Sequence, residues 1–143
     1  MNTVGALGST QTAILGLVAW FAILLLSLEA VRSIATLKMG KPANSFDPTG
    51  RDLSTFGQRL TRAHANAYEF LPFPLAVLLY ALATNQAAVT DGLALWLLAA
   101  RIGQSLTHLA STSNAAVLIR FLVFFVPQQA ILIIWLWWLA GAG

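Results

Sequence analysis

Four stretches of the chain are long and apolar enough to cross a lipid bilayer, and this constrains the fold more than any motif does. Crossing the hydrocarbon takes about 20 mostly apolar residues in a helix. Candidate spans run from about 12–37, 54–84, 90–111 and 115–140. Hydrophobic residues make up 58% of the 143 and charged residues only 9%, whereas a soluble domain carries about 25% charged. So few charges cannot clothe this much apolar mass in water, so the bilayer is the main solvent.

The segments between the spans set the topology. The first run stops at Gly40-Lys41-Pro42, and a polar loop with Asn44, Asp47, Gly50 and Asp52 follows. Ser54 or Thr55 is an expected N-cap for the second helix, in which Pro72 and Pro74 predict a kink. Thr90-Asp91 reads as the cap pair of the third helix, and Ser111-Thr112-Ser113-Asn114 as a short turn before the fourth. Short connections make successive helices antiparallel neighbours. The expectation is one all-α domain over 1–143, an up-down-up-down four-helix membrane bundle.

All eight basic residues then fall at one membrane face: Arg32, Lys38, Lys41, Arg51, Arg59 and Arg62, then Arg101 and Arg120. By the positive-inside rule, loop 39–56 and the turn between helices three and four are expected in the cytoplasm, with both termini opposite. Trp135, Trp137 and Trp138 are expected at the outer interface as an aromatic belt. A cleaved signal peptide is not expected, because the first 28 residues have no basic leader and the apolar run is too long.

Several chemistries are excluded. With no cysteine in the chain, disulfides, thiolate metal sites and a protein thiol nucleophile are ruled out, so any thiol must arrive with a substrate. No Lys/Arg-rich tract suggests nucleic acid, and two histidines without His-Glu-x-x-His spacing make no metal site.

The polar residues inside the spans carry the functional reading. Arg62, Asn66 and Glu69 fall within about 60° of one another on the second helix, a ladder about 10 Å tall. A cation, an amide and a carboxylate on one face suit a small zwitterion, and they equally suit an ion-pair network between helices. His64 points about 160° away from Arg62. On the third helix Arg101, Gln104, Ser105, His108 and Thr112 form a second stripe. Arg101 lies about 15 Å from the helix end, so a structural ion pair is expected, with Glu69 or Glu29 as its carboxylate. His108 fits an interhelical hydrogen bond or a ligand contact. Arg120, opening the fourth helix, fits an interfacial anchor or an anion holder. Glu29 and Arg32 are spaced to pair with each other, and Gln128-Gln129 is expected to pack between helices.

The run Arg62-Ala63-His64-Ala65-Asn66-Ala67-Tyr68-Glu69-Phe70-Leu71-Pro72 resembles the second-helix signature of the MAPEG family, the membrane-associated proteins in eicosanoid and glutathione metabolism. That signature is approximately Arg-Ala-x-x-Asn-x-x-Glu-x-x-Pro, and every fixed position matches. Ala100-Arg101 with Gln104 and His108 is similar to the family's third helix. The resemblance implies a homotrimer that binds glutathione as co-substrate between subunits near the cytosolic face. It places Arg62, Asn66 and Glu69 on the tripeptide, with His64 reaching it from a neighbouring subunit. It makes Arg120 the thiolate stabiliser and offers Arg32 or Lys38 as the basic residue contributed by the first helix. Gln104 and His108 stand where family transferases often have tyrosines, and Phe70 lacks a hydroxyl.

The activity implied is a glutathione-dependent transferase or peroxidase acting on lipophilic electrophiles or lipid hydroperoxides, which enter from the membrane lipids. The alternatives are a non-catalytic scaffold, a lipid-binding member or an accessory subunit of a membrane complex. A small proton-coupled exporter would use Glu29 instead, but Glu29 lies late in its helix and the basic residues are one-sided.

Overall fold

Glycine, proline and hydroxyl side chains set where the helices begin and end. The computed structural model describes residues 6–141, and those residues form four long helices and no strand. The first helix is Ser9–Met39 and closes at Gly40, whose φ of 69° is left-handed. The second is Thr55–Ala83, opened by Ser54 Oγ accepting from the Gly57 N–H at 3.2 Å. Pro72 supplies no N–H to the ladder, and the helix is interrupted at Leu71 as the sequence predicts. The third is Ala87–Ala110. The fourth is Asn114–Leu139, capped by Ser113, with a π-helical segment over Arg120–Phe125.

The third helix corrects one expectation. It starts at Ala87 rather than Thr90, and the side chain of its N-cap, Gln86, makes no capping bond. Asp91 caps a different helix: its Oδ1 accepts from the Thr10 N–H at 2.9 Å and the Thr10 hydroxyl at 2.7 Å. The Thr10 and Thr90 hydroxyls meet at 2.7 Å. A helix N-terminus leaves its first N–H groups unpaired, and a carboxylate on the adjacent parallel helix satisfies one of them here.

Helix pairing follows the order of these contacts. Gly16 packs on Leu98, with space for a Cβ only 2.5 Å from Leu98 Cδ2, so the first and third helices run parallel at close range. Phe21 meets His64 on the second helix, and Gln104 meets Gln128 on the fourth, which gives the up-down-up-down order. One core cluster holds Leu17, Leu78, Leu97 and Trp135; a second holds Leu24, Leu28, Leu60 and Ala63. Trp135 is fully buried, so it belongs to the core and not to an interfacial belt; Trp137 and Trp138 do face outward.

Of the four expected spans, three helices, Ser9–Met39, Thr55–Ala83 and Asn114–Leu139, are long and apolar enough to cross a membrane; the polar stripe of Ala87–Ala110 keeps it from being a fourth by that measure. The third helix touches all the others and carries the polar stripe. Leu26, Trp96 and Ile133 are 68%, 71% and 66% exposed, an outward apolar surface that suits lipid. The molecule is an integral membrane helical bundle.

The loop after the first helix is tied down. Lys41 Nζ lies 2.9 Å from Asp52 Oδ2, and this hydrogen bond holds the Asp52 carboxyl below its ordinary range. Gly50 has φ 73°, and a Cβ there would collide with the Thr61 hydroxyl and lie 2.9 Å from Thr61 Cβ. Gly50→Ala should therefore lower stability by about 2–4 kcal/mol, combining left-handed strain with the clash. Gly40→Ala, at φ 69° with nothing within 4 Å, should show only the strain, about 1–2 kcal/mol. Unfolding midpoints of the two variants in denaturing detergent check the difference; equal losses would refute the clash.

Candidate functional site

The second helix turns its polar residues in two directions. Arg62 and Glu69 are exposed on the surface of the chain, while Asn66 is half-buried. Asn66 and Phe70 are four residues apart and so share a face, which packs on the third helix. There Asn66 Oδ1 accepts a hydrogen bond from the Arg101 guanidinium, and Arg101 Cζ stands 4.9 Å from the Phe70 ring centroid.

This corrects the expected ion pair of Arg101. The guanidinium is buried, at 3% exposure, yet its partners are an amide and an aromatic face. The ion pairs among the described residues are Arg32–Glu29 at 3.0 Å and Lys41–Asp52 at 2.9 Å. Glu69 is on the outer side of the second helix, and Glu29 is held by Arg32. Among the described residues, no carboxylate is paired with the buried Arg101 guanidinium.

Further along the third helix, Gln104 is buried and His108 half-buried. Gln104 Oε1 accepts from Gln128 Nε2 at 2.8 Å, so Gln128 bonds between helices as its sequence context predicts. Arg120 donates from Nη1 to the Ser111 carbonyl at 2.9 Å, closing the end of the third helix. Gln104, His108 and Arg120 line one cleft of about 220 Å³, with Val117, Phe121 and Phe125 as its apolar wall. The charges that act on His108 are Arg120, Arg101 and Arg62, all positive. Three of the residues singled out in the sequence, Gln104, His108 and Arg120, thus converge on one hollow.

A family model, described as the MAPEG family, matches residues 10–140, nearly the entire chain. The chain belongs to the MAPEG family. It is accordingly a membrane protein of the family concerned with eicosanoid and glutathione metabolism. No curated protein and no solved structure matches it.

In this MAPEG chain the remaining candidates form a second group. His64 stacks on Phe21 of the first helix, ring centroids 5.1 Å apart. Arg32, paired with Glu29, borders a larger cleft of about 600 Å³ with Ser33, Thr36 and Phe46. Arg32 and His64 do not line the Arg120 cleft. The signature residues are therefore divided between two surfaces of the bundle. Among the described residues, no group of three His, Asp or Glu side chains is placed to hold a metal ion.

The sequence reading missed the π-helical segment. Its one signal was Pro127, whose ring lacks an N–H and excludes the carbonyl four residues back. A proline one residue beyond six regular helical positions does not by itself distinguish a kink from a π turn.

Proposed function

We propose that this MAPEG protein is a glutathione-dependent transferase or peroxidase acting on lipophilic electrophiles or lipid hydroperoxides. The supporting observation is the cleft that gathers Gln104, His108 and Arg120 under the charges of Arg62 and Arg101. Glutathione carries carboxylates and a thiol, and the Arg120 guanidinium in the cleft favours its anionic forms. Arg120 is the catalytic residue in this reading. A free thiol titrates near a pKa of about 8.5, and a guanidinium beside the sulfur raises the thiolate population at neutral pH. The thiolate pair bonds to the electrophilic carbon as the leaving group departs. With a hydroperoxide it bonds to the terminal oxygen, and the alkoxide leaves and takes up a proton. A second glutathione thiolate then attacks the sulfenic sulfur, forming the disulfide bond as hydroxide leaves and takes up a proton from solvent to become water.

Val117, Phe121 and Phe125 are 46%, 52% and 40% exposed, an apolar margin through which the second substrate enters from the hydrocarbon. The hollow of about 220 Å³ falls short of the roughly 300–1,000 Å³ of small-molecule sites. Arg62 and Glu69 also stand exposed on a spanning helix, where charge against lipid is costly. Both points support a homotrimer. In it, Arg62, Asn66 and Glu69 hold the tripeptide and a neighbouring copy brings Arg32 and His64 to close the site. By the positive-inside rule this end of the bundle faces the cytoplasm.

One observation favours a second reading, a non-catalytic scaffold or accessory subunit: the amide of Asn66 is already engaged by Arg101. A glutathione titration of the purified protein in detergent separates the two. The unfolding midpoint should rise with glutathione. Arg62→Ala and Glu69→Ala should each weaken binding about tenfold or more, the loss expected for one charge-assisted hydrogen bond. No midpoint rise, together with no glutathione conjugation and no hydroperoxide reduction, sinks the enzyme reading.

A further inference from the structure

The π-helical turn lies where the cleft needs its arginine. Arg120 opens the segment, and the Val126 N–H reaches the Phe121 carbonyl, five residues back. One extra residue in a turn rotates everything before it by about 100° and shifts it about 1.5 Å relative to a regular helix. The direction in which Arg120 projects is therefore set by whether this turn stays wide.

Two features keep it wide. Pro127, two residues past Phe125, offers no N–H to a regular ladder. Gln128 is fully buried, and its Nε2 donates both to the Phe124 carbonyl at 2.9 Å and to Gln104 Oε1 at 2.8 Å. Both hydrogens of that amide are used, so its orientation is fixed. One bond secures a carbonyl inside the π turn, and the other fastens it to a residue that lines the cleft beside Arg120. The helices also approach closely at this level: a Cβ on Gly103 would stand 2.6 Å from Phe124 Cε1. Gln128 is not among the side chains lining the cleft. It reaches the site only through the turn and through Gln104.

The geometry points to Gln128 as a positioning residue that holds the Arg120–Phe125 turn against Gln104 and so aims the Arg120 guanidinium into the cleft. This rests on the reading of Arg120 as the group that meets the glutathione sulfur. Removing the amide leaves the Phe124 carbonyl unsecured, and the turn then relaxes towards regular helix with Arg120 swung aside.

The test uses the full-length protein in detergent with glutathione as the probe. The ultraviolet absorbance of the bound thiolate is followed against pH, beside binding measured as the rise in unfolding midpoint. Wild type should titrate its bound thiol below the free-thiol value, and Arg120→Ala should move that midpoint upward. Gln128→Met, similar in shape but without the amide, should recover at least half of the Arg120→Ala shift while glutathione affinity changes less than about threefold. The double variant should shift no further than Arg120→Ala alone, because the two changes act on one group. If Gln128→Met does not fold, Pro127→Ala at an exposed position carries the test and should shift the midpoint in the same direction. A wild-type midpoint in a folded Gln128→Met, or an additive double variant, overturns the positioning role and leaves Arg120 in place. No shift in Arg120→Ala, or no glutathione bound by wild type, removes the underlying reading and this inference with it.

Discussion

Asn66→Leu should destabilise the folded protein by about 3–5 kcal/mol, the cost of leaving a buried charge without its partner. Arg101 is 3% exposed inside a membrane bundle, and Asn66 Oδ1 is the side-chain acceptor its guanidinium has. Leucine fills the space but accepts no hydrogen bond. The Phe70 face supplies a cation–π contact worth about 2 kcal/mol or more when desolvated, but wild type already has it, so it does not replace the lost hydrogen bond. Two companion variants separate this from lost packing. Asn66→Asp turns the amide contact into an ion pair and should hold stability at or above wild type. The double variant Asn66→Leu/Arg101→Met removes charge and partner together and should regain most of the loss. Unfolding in a denaturing detergent reads all three; a loss below about 1 kcal/mol in Asn66→Leu would show that water or a neighbouring copy already satisfies Arg101.

The second large effect falls on chemistry. Arg120→Ala should lower the glutathione conjugation rate at neutral pH by about 10²-fold, the usual cost of removing one donor to a reacting anion. The sign with pH follows from the thiol. Without the guanidinium the bound thiol titrates higher, so the variant is slowest relative to wild type at pH 6–7. It closes the gap as the pH rises through about 8.5. A pH–rate profile makes the measurement. A deficit of the same size from pH 6 to 9 would mean that Arg120 does not act on the thiol's charge. Arg120→Lys keeps the charge but loses the planar fork and should fall between the two.

What the sequence made legible was whatever depends on local pattern. Apolar runs of about 20 residues marked the long helices; Gly40, Pro72, the cap Ser54 and the turn at 111–114 marked breaks the structure contains. Helical spacing placed Arg62 apart from His64, and the structure puts them on different surfaces of the bundle. What stayed hidden depends on register between helices. Periodicity tells which face a residue shares but not which residue across the gap it meets. Arg101 was therefore assigned a carboxylate when Asn66 and Phe70 occupy the facing turn. Asp91 looked like a cap for the helix it sits on because its true partner, Thr10, is 81 positions away. Trp135 was read by its distance from the chain end, which does not report the side of the helix it lies on.

The Asp91–Thr10 bond also sets an order of events during synthesis. At about 5–20 residues per second, the ribosome makes Asp91, 81 positions after Thr10, some 4–16 s later. For that interval Gln11 caps the Gly8 N–H of the leading helix, but the Thr10 N–H lacks its carboxylate until the third helix arrives alongside. A nascent chain arrested before residue 91 should therefore hold its first span loosely, and the register of the whole bundle is decided late, from the far half of the chain.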